Sequence, residues 1–226
     1  MKSRLTGERW VVSDEKRALD IVMASSLLPI ATTIGVAALG LSRVIDGEGA
    51  LFRQERLGQN RKTLIVNKVR TMKDASANAD GSIRKEVTRL GRVLRPLAID
   101  EIPQLANVLE GSMSMVGPRV ITENAMAEVQ QATDRNLYDE WLEAYYASRP
   151  GGFSSNFIEH RLHGNSHAEQ SLIQRAQLDI EDFKNASLQY DLGIMKKAVG
   201  VGLALLLNRG EQIYSPDWEK IHKEQK

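Results

Sequence analysis

Cysteine is absent from the 226-residue chain, which excludes disulfides, a thiol nucleophile and every thiolate-bound metal site, zinc fingers among them. A chain without thiols suits a reducing compartment. Aromatic residues make up only 5%, too few for the rows of stacking platforms that single-stranded nucleic acid needs, so nucleic acid is not an expected partner. No internal repeat or low-complexity tract occurs, and neither sign of charge dominates: the formal net charge is +1. With 42% hydrophobic residues, the length provides for one well-packed domain plus an accessory segment.

The near-zero net charge hides an asymmetry. Twelve lysines and arginines crowd the stretch from Arg53 to Arg95, whereas the acids gather from Glu123 onward. Such a basic block fits phosphate groups or an anionic membrane surface, and it equally fits a solvated charged face.

Long apolar runs are scarce as well. Only one reaches the length of a membrane helix: Ile21 to Ser42, about 22 residues without a charge. It begins too late for a cleaved signal peptide. Lys2, Arg4, Arg9, Lys16 and Arg17 precede it and Arg43, Arg53, Arg56, Arg61 and Lys62 follow, so the positive-inside rule places both ends in the cytoplasm. A helix that enters one leaflet, bends and returns satisfies that rule. Pro29 lies near the middle, where a missing backbone donor and a steric clash predict a kink, with Ser25 and Ser26 able to occupy freed carbonyls. A single-pass anchor with a harmless proline is the competing reading.

From Leu51 the chain reads as two strand-like runs around the turn cluster Gly58-Gln59-Asn60-Arg61-Lys62, the second run extending to Met72. Lys68 and Arg70, two apart, project to one face of that second strand and make a grip for a phosphate or carboxylate. Thr88 to Leu97 reads as an amphipathic helix with Leu90, Val93, Leu94 and Leu97 on its apolar stripe, closed by Pro96. A further helix then starts with Asp100 at or near its N-cap and Glu101 in its first turn. Such an acid pair commonly serves only to complement the helix dipole. Here arginines precede it, and a glycine-bracketed turn, Gly111 to Gly117, with Pro118 and Arg119 follows. In that setting one carboxylate can attack a phosphoryl centre while a second holds a divalent cation such as magnesium, which favours oxygen ligands.

Taken in order, several stretches make a specific pattern: Lys16-Arg17-Ala18-Leu19-Asp20, Phe52 to Gly58, Lys68-Val69-Arg70-Thr71-Met72, Leu94-Arg95, Asp100 to Leu105, Asn107 to Gly111 and Met115 to Arg119. From Lys16 to Pro150 the chain resembles the monotopic phosphoglycosyl transferases, also called bacterial sugar transferases, which begin the synthesis of capsule, exopolysaccharide and other surface glycans. The resemblance implies that Asp100 is the nucleophile on a UDP-sugar, giving UMP and a covalent phosphosugar enzyme, and that polyprenyl phosphate then accepts the sugar phosphate. It implies that Glu101, with Asp100, holds Mg2+, that Arg95 binds phosphate and that Arg119 lies against the nucleotide or its phosphates, with Lys68 and Arg70 as further substrate contacts. The chain departs from the family pattern where Leu28 precedes Pro29 in place of serine, where Val120 follows Arg119 in place of proline, and at Pro150-Gly151-Gly152-Phe153-Ser154.

In the remaining chain, Ile121 to Ala147 reads as mostly helical, with Trp141, Leu142, Tyr145 and Tyr146 in the core or in an interfacial patch. Glu159, His160, His163 and His167 have spacings that suit a metal, but Gly164-Asn165 interrupts their helix. Ala168 to Tyr190 reads as an amphipathic helix, and Ala198 to Leu207 as an apolar run too short to span.

The expected architecture is therefore an α+β fold: one mainly helical domain with a small β-hairpin and surface amphipathic helices. Residues 1–15 form a lead segment, 16–46 a re-entrant membrane helix broken at Pro29, and 47–226 the catalytic domain. The protein is expected as a monotopic enzyme at the cytoplasmic face of the bacterial inner membrane, in contact with membrane lipids, with a homodimer left open. Two rival readings are an inactive membrane-anchored scaffold, which tolerates Asp100→Asn, and a nucleotide-sugar hydrolase, which releases sugar phosphate into water.

Overall fold

A computed structural model describes residues 6–47, 50–77, 83–163 and 168–207. The chain is α+β and mainly helical, as its patterning predicts. Helix α1 (Thr6–Trp10) leads into α2 (Asp14–Ile45). The start of α2 is set by Ser13, whose side chain accepts from the Lys16 amide, and by Asp14 and Glu15 in the first turn; Arg43 lies in its last turn. Its buried residues, Lys16, Asp20, Ala24, Ala31, Gly35, Ala38 and Ser42, form one stripe of mostly small side chains, which lets the helix lie close against the rest of the protein. The opposite face leaves Val22, Ile30, Val36 and Val44 exposed.

The expected break at Pro29 is not a break in secondary structure: α2 is one helical run with Pro29 inside it. Proline deletes one backbone donor. Nearby, the Ser26 hydroxyl donates to the Val22 carbonyl (2.7 Å) and the Thr33 hydroxyl to the Pro29 carbonyl (3.0 Å), local bonds that let hydroxyl side chains sit in an apolar helix. Residues 25–30 are nevertheless all exposed, so the buried stripe is interrupted between Ala24 and Ala31.

The expected hairpin is present: β1 (Leu51–Leu57) pairs antiparallel with β2 (Thr63–Val69), Leu51 opposite Val69 and Leu57 opposite Thr63. Asn60 and Arg61 take left-handed conformations in the turn (φ 55° and 61°). The second strand is shorter than expected, because the chain enters a second hairpin instead, β3 (Met72–Ala77) with β4 (Ile83–Val87). A third pair, β5 (Ser114–Val116) beside β6 (Gly151–Phe153), is parallel. It falls in the stretch read as a turn. The two segments approach so closely there that a Cβ on Gly151 would overlap the Gly117 backbone and one on Gly117 the Arg149 carbonyl.

Helices α3 (Gly91–Leu94), α4 (Leu105–Glu110), α5 (Glu123–Ala132), α6 (Arg135–Ala147), α7 (Ser155–His163), α8 (Ala168–Asn185) and α9 (Leu188–Leu207) complete the described chain. Thr122 and Asp134 cap α5 and α6 through their side chains. Trp141 and Tyr145 are fully buried, with Leu142 and Tyr146 packed against their cluster, so this aromatic group is core. The apolar run from Ala198 is the end of α9: Ala198 is buried while Val199, Leu203 and Leu207 are exposed.

A buried ionic knot fastens α1 and α2 to the body. Lys16 Nζ lies 3.1 Å from Asp20 Oδ1 and 2.8 Å from Asp191 Oδ2 on α9, and Trp10 Nε1 donates to the same Asp191 oxygen at 3.0 Å. Asp20 Oδ1 also accepts from the Ser114 hydroxyl and the Met115 amide of β5, each at 2.9 Å. Burial of these charges is tolerable because each is paired and hydrogen-bonded.

Candidate active site

The acid pair lies on a segment that its prolines keep from continuing as α-helix. The helix expected over Thr88 to Leu97 shrinks to α3 followed by a 3-10 turn, Arg95–Leu97, with Val93 exposed rather than on the apolar stripe. Ala98 then takes a left-handed conformation (φ 53°), and Ile99–Gln104 form a second 3-10 stretch with Pro103 inside. Asp100 is therefore not the N-cap of a helix but a residue of this tight turn; the cap position is Ala98, which makes no side-chain cap bond. Pro96 and Pro103 each withhold an amide donor, and a left-handed alanine carries about 1–2 kcal/mol of strain. Backbone strain of this kind clusters at functional sites.

Neighbouring elements hold the turn. Asn107 Nδ2 donates to the Ile65 carbonyl (2.8 Å), tying α4 to β2. Arg17 of α2 forks across the end of α4, Nη1 to the Val108 carbonyl (2.5 Å) and Nη2 to that of Leu109 (2.6 Å). From α7, Arg161 Nη1 donates to the Arg95 carbonyl (2.6 Å) and also to that of Pro96.

Glu101 is gripped from two sides. Its Oε1 accepts from Arg119 Nη2 at 2.6 Å and from Lys68 Nζ at 3.2 Å. Burial alone would push its carboxyl up; the charges of Arg119 and Lys68 and their hydrogen bonds outweigh that and hold it down at about 2. Asp100, 8% exposed, is in the opposite condition. Burial, then the adjacent Glu101 charge, pushes its carboxyl above the ordinary aspartate range, against the pull of Lys68, Arg95 and Arg161. Among the described residues its carboxylate makes no hydrogen bond or ion pair. Two adjacent carboxyls driven apart in this way are suited to separate roles.

The structure thus brings together Lys68, Arg95, Asp100, Glu101 and Arg119. Arg70 follows β2 and stands over the Phe52 ring, 5.7 Å from its centroid. Three further cations belong to the site and were not among the site residues expected from the sequence: Arg56 of β1, Arg161 of α7 and Arg175 of α8. Arg161 bears on Asp100 electrostatically, and Arg56 and Arg175 are each lowered first by burial and then, among other charges, by Arg119. Arg56 lies within the motif Phe52 to Gly58, the one local signal that pointed to it; Arg161 and Arg175 follow the acid pair by 60 residues or more. No group of three or more His, Cys, Asp or Glu side chains that could hold a metal occurs among the described residues, and His167 lies outside them.

The family model described as bacterial sugar transferase matches residues 11–204. The chain is 31% identical over 214 residues to the exopolysaccharide production protein ExoY of Sinorhizobium fredii, covering 86% of this chain and 87% of that protein. It is 37% identical over 199 residues to the UDP-glucose:undecaprenyl-phosphate glucose-1-phosphate transferase of Caulobacter vibrioides, covering 84% and 70%. A UDP-N-acetylgalactosamine-undecaprenyl-phosphate N-acetylgalactosaminephosphotransferase of Aeromonas hydrophila is 30% identical over 193 residues, 81% of this chain and 42% of that longer protein. With most of its length matched, and with the acid pair and its basic surround inside that match, the chain belongs to the bacterial sugar transferase family.

Proposed function

We propose that this protein transfers a sugar phosphate from a UDP-sugar to a polyprenyl phosphate, of which undecaprenyl phosphate is the form named for its relatives, as the first membrane step of surface-glycan synthesis. The observation that carries this reading is the acid pair itself: Glu101 is locked as an anion by Arg119 and Lys68 while Asp100, beside it, is buried and uncommitted. An ionised Asp100 oxygen attacks the phosphorus next to the sugar; the bond from that phosphorus to the bridging oxygen breaks, and UMP leaves with the electron pair. A phosphate oxygen of the polyprenyl acceptor then attacks the same phosphorus, displaces Asp100 and forms the lipid-linked diphosphate sugar. The surrounding guanidinium and ammonium groups offset the charge carried by donor and acceptor.

Magnesium suits this donor set, since it is commonly held by one or two carboxylates together with substrate phosphates. Asp100 and Glu101 would hold it, and its charge would help neutralise the reacting phosphates. The sugar differs between the relatives, so the donor is to be identified by assay.

The reading places the enzyme at the cytoplasmic face of the inner membrane. Supporting it are the cations at both ends of α2, the exposed apolar residues along that helix, and the all-round exposure of residues 25–30 about Pro29. α2 is long and apolar enough to cross a membrane, yet residues toward both its ends are buried against the protein. A helix attached at both ends and bare in the middle fits a re-entrant excursion with its apex near Pro29 better than a simple crossing.

The test is UMP release from a panel of UDP-sugars by detergent-purified protein, with and without polyprenyl phosphate and magnesium, beside Asp100→Asn. Release that needs the lipid and Asp100, with sugar phosphate recovered on the lipid, is the expected result. Undiminished release by Asp100→Asn, or sugar phosphate appearing only in water, overturns it.

A further inference from the structure

We propose that Arg175 is a positioning residue for the transfer reaction, acting through the backbone of Arg119 to hold the Arg119 side chain against Glu101. This deepens the reading given above. Arg119 comes from the segment after β5, which pairs with β6 through backbone bonds and whose Gly117 and Pro118 offer no side-chain donor to brace it. The brace comes from another element: Arg175 Nη2 of α8 donates to the Arg119 carbonyl at 3.0 Å. On the same residue, Arg119 Nη2 donates to Glu101 Oε1 at 2.6 Å. The parallel bridge to Gly151 holds one side of this backbone; the Arg175 bond adds a hold on the Arg119 carbonyl itself, and the 2.6 Å contact fixes the side chain.

The obvious alternative is that Arg175 serves only as the partner of the buried Asp179. The geometry favours the loop. Arg175 Nε lies 3.9 Å from Asp179 Oδ2, beyond hydrogen-bond range, and both Arg175 Nε and Asp179 Oδ1 are buried without a hydrogen-bond partner. Asp179 Oδ2 accepts instead from Trp141 Nε1 at 3.0 Å. A guanidinium placed to satisfy a carboxylate would form the two-pronged pair that arginine makes readily. Here the carboxylate supplies a compensating charge, while the guanidinium reaches out to the carbonyl of Arg119, whose side chain meets Glu101. The carboxylate is in turn anchored by a fully buried tryptophan of α6. Trp141, Asp179, Arg175, Arg119 and Glu101 form a continuous line of contacts from the α6–α8 core to the acid pair.

Arg175→Met keeps most of the apolar stem and removes the donor, whereas Arg175→Lys keeps a charge and a donor of similar reach. Hydrogen–deuterium exchange on the full chain in detergent needs no substrate and tests the brace directly. Faster exchange in Arg175→Met centred on residues 117–122, restored toward wild type in Arg175→Lys, is the expected pattern. Unchanged exchange there, or a general rise across α6 and α8, overturns the proposal whether or not a donor has been found. With the best UDP-sugar from the panel and polyprenyl phosphate, Arg175→Met is expected to lower kcat for UMP release about tenfold and Arg175→Lys less than threefold. In an Arg119→Ala background Arg175→Met is expected to cost less than a further twofold, because the group it positions is already gone. An equal tenfold loss in both backgrounds overturns the link through Arg119. If wild type releases UMP and Arg175→Met matches it, this proposal fails alone; if wild type releases none from any donor, the transferase reading fails and the exchange experiment still decides the brace.

Discussion

Arg119 and Glu101 meet at 2.6 Å, and the oxygen they share is also bonded to Lys68 at 3.2 Å. That shared oxygen separates the two acids: Oε1 of Glu101 is committed to Arg119 and Lys68, whereas Asp100 has no such bond among the described residues. Replacing Asp100 by Asn removes a buried carboxylate that makes no bond among the described residues, so the fold has little to lose. Expected are a thermal midpoint within about 3 °C of wild type and a fall in UMP release of at least about 10³-fold, as for loss of a nucleophile. Glu101→Gln, by contrast, leaves Lys68 and Arg119 facing a neutral partner and is expected to lower stability by about 1–3 kcal/mol as well as activity. Calorimetry and initial rates on the two variants separate these outcomes; a large loss of stability in Asp100→Asn would show that its carboxylate is structural after all.

Gly35 and Gly40 offer a matched pair on α2. A Cβ at Gly35 would sit 3.2 Å from Ile102 Cγ2, whereas one at Gly40 would meet nothing within 4 Å. Leucine at either position changes helix propensity equally, so the difference between them reports contact alone. Gly35→Leu displaces Ile102, the neighbour of Glu101, and is expected to lower stability by about 1–3 kcal/mol relative to Gly40→Leu and activity by tenfold or more. Equal activity in the two variants would mean that α2 does not set the position of the acid turn.

Much of this site was legible because its chemistry is local. The hairpin followed from alternation around a turn cluster, and Asp100, Glu101, Arg95 and Arg119 stood within one short stretch with a recognisable order. Periodicity misread the segment before the pair: the Leu90–Leu97 stripe suggested a continuous helix, but proline and a left-handed alanine turned it into 3-10 geometry. Parallel pairing of β5 with β6 was invisible for another reason, since its register depends on glycines 34 residues apart in a 226-residue chain. Arg161 and Arg175 likewise come from helices α7 and α8 and act on carbonyls far away in sequence. No local pattern marks such a contact.

Arg17 shows the same principle at the start of α2. Its two nitrogens donate to the Val108 and Leu109 carbonyls at 2.5 and 2.6 Å, satisfying the end of α4 with a positive charge where the helix dipole is negative. Arg17→Ala leaves both carbonyls without that partner and is expected to cost about 2–4 kcal/mol, with Arg17→Lys recovering roughly half. Denaturant unfolding in detergent measures both; equal losses in the two variants would count against the cap.

Asp179 gives the pH dependence its sign. It is buried with one oxygen unpartnered, and burial pushes its carboxyl up to about 6 against the opposing effects of Arg175 and the Trp141 hydrogen bond, with nearby Asp182 adding to the rise. The ordinary value, 3.8, stands for the unfolded chain. Between those two values the folded state binds more proton than the unfolded one, so this group destabilises at neutral pH and the penalty is relieved as pH falls through about 6 toward 4. Tyr145 of α6 lies close by but titrates far above this window. Asp179→Asn keeps an acceptor for Trp141 and removes the titration, so its stability relative to wild type should be greatest near pH 7.5 and shrink by up to about 2 kcal/mol on going to pH 4.5. Thermal midpoints of both proteins at the two pH values provide the measurement. A gap that stays constant would mean that Asp179 keeps an ordinary carboxylate pKa, and that the charge beside Arg175 costs the fold nothing.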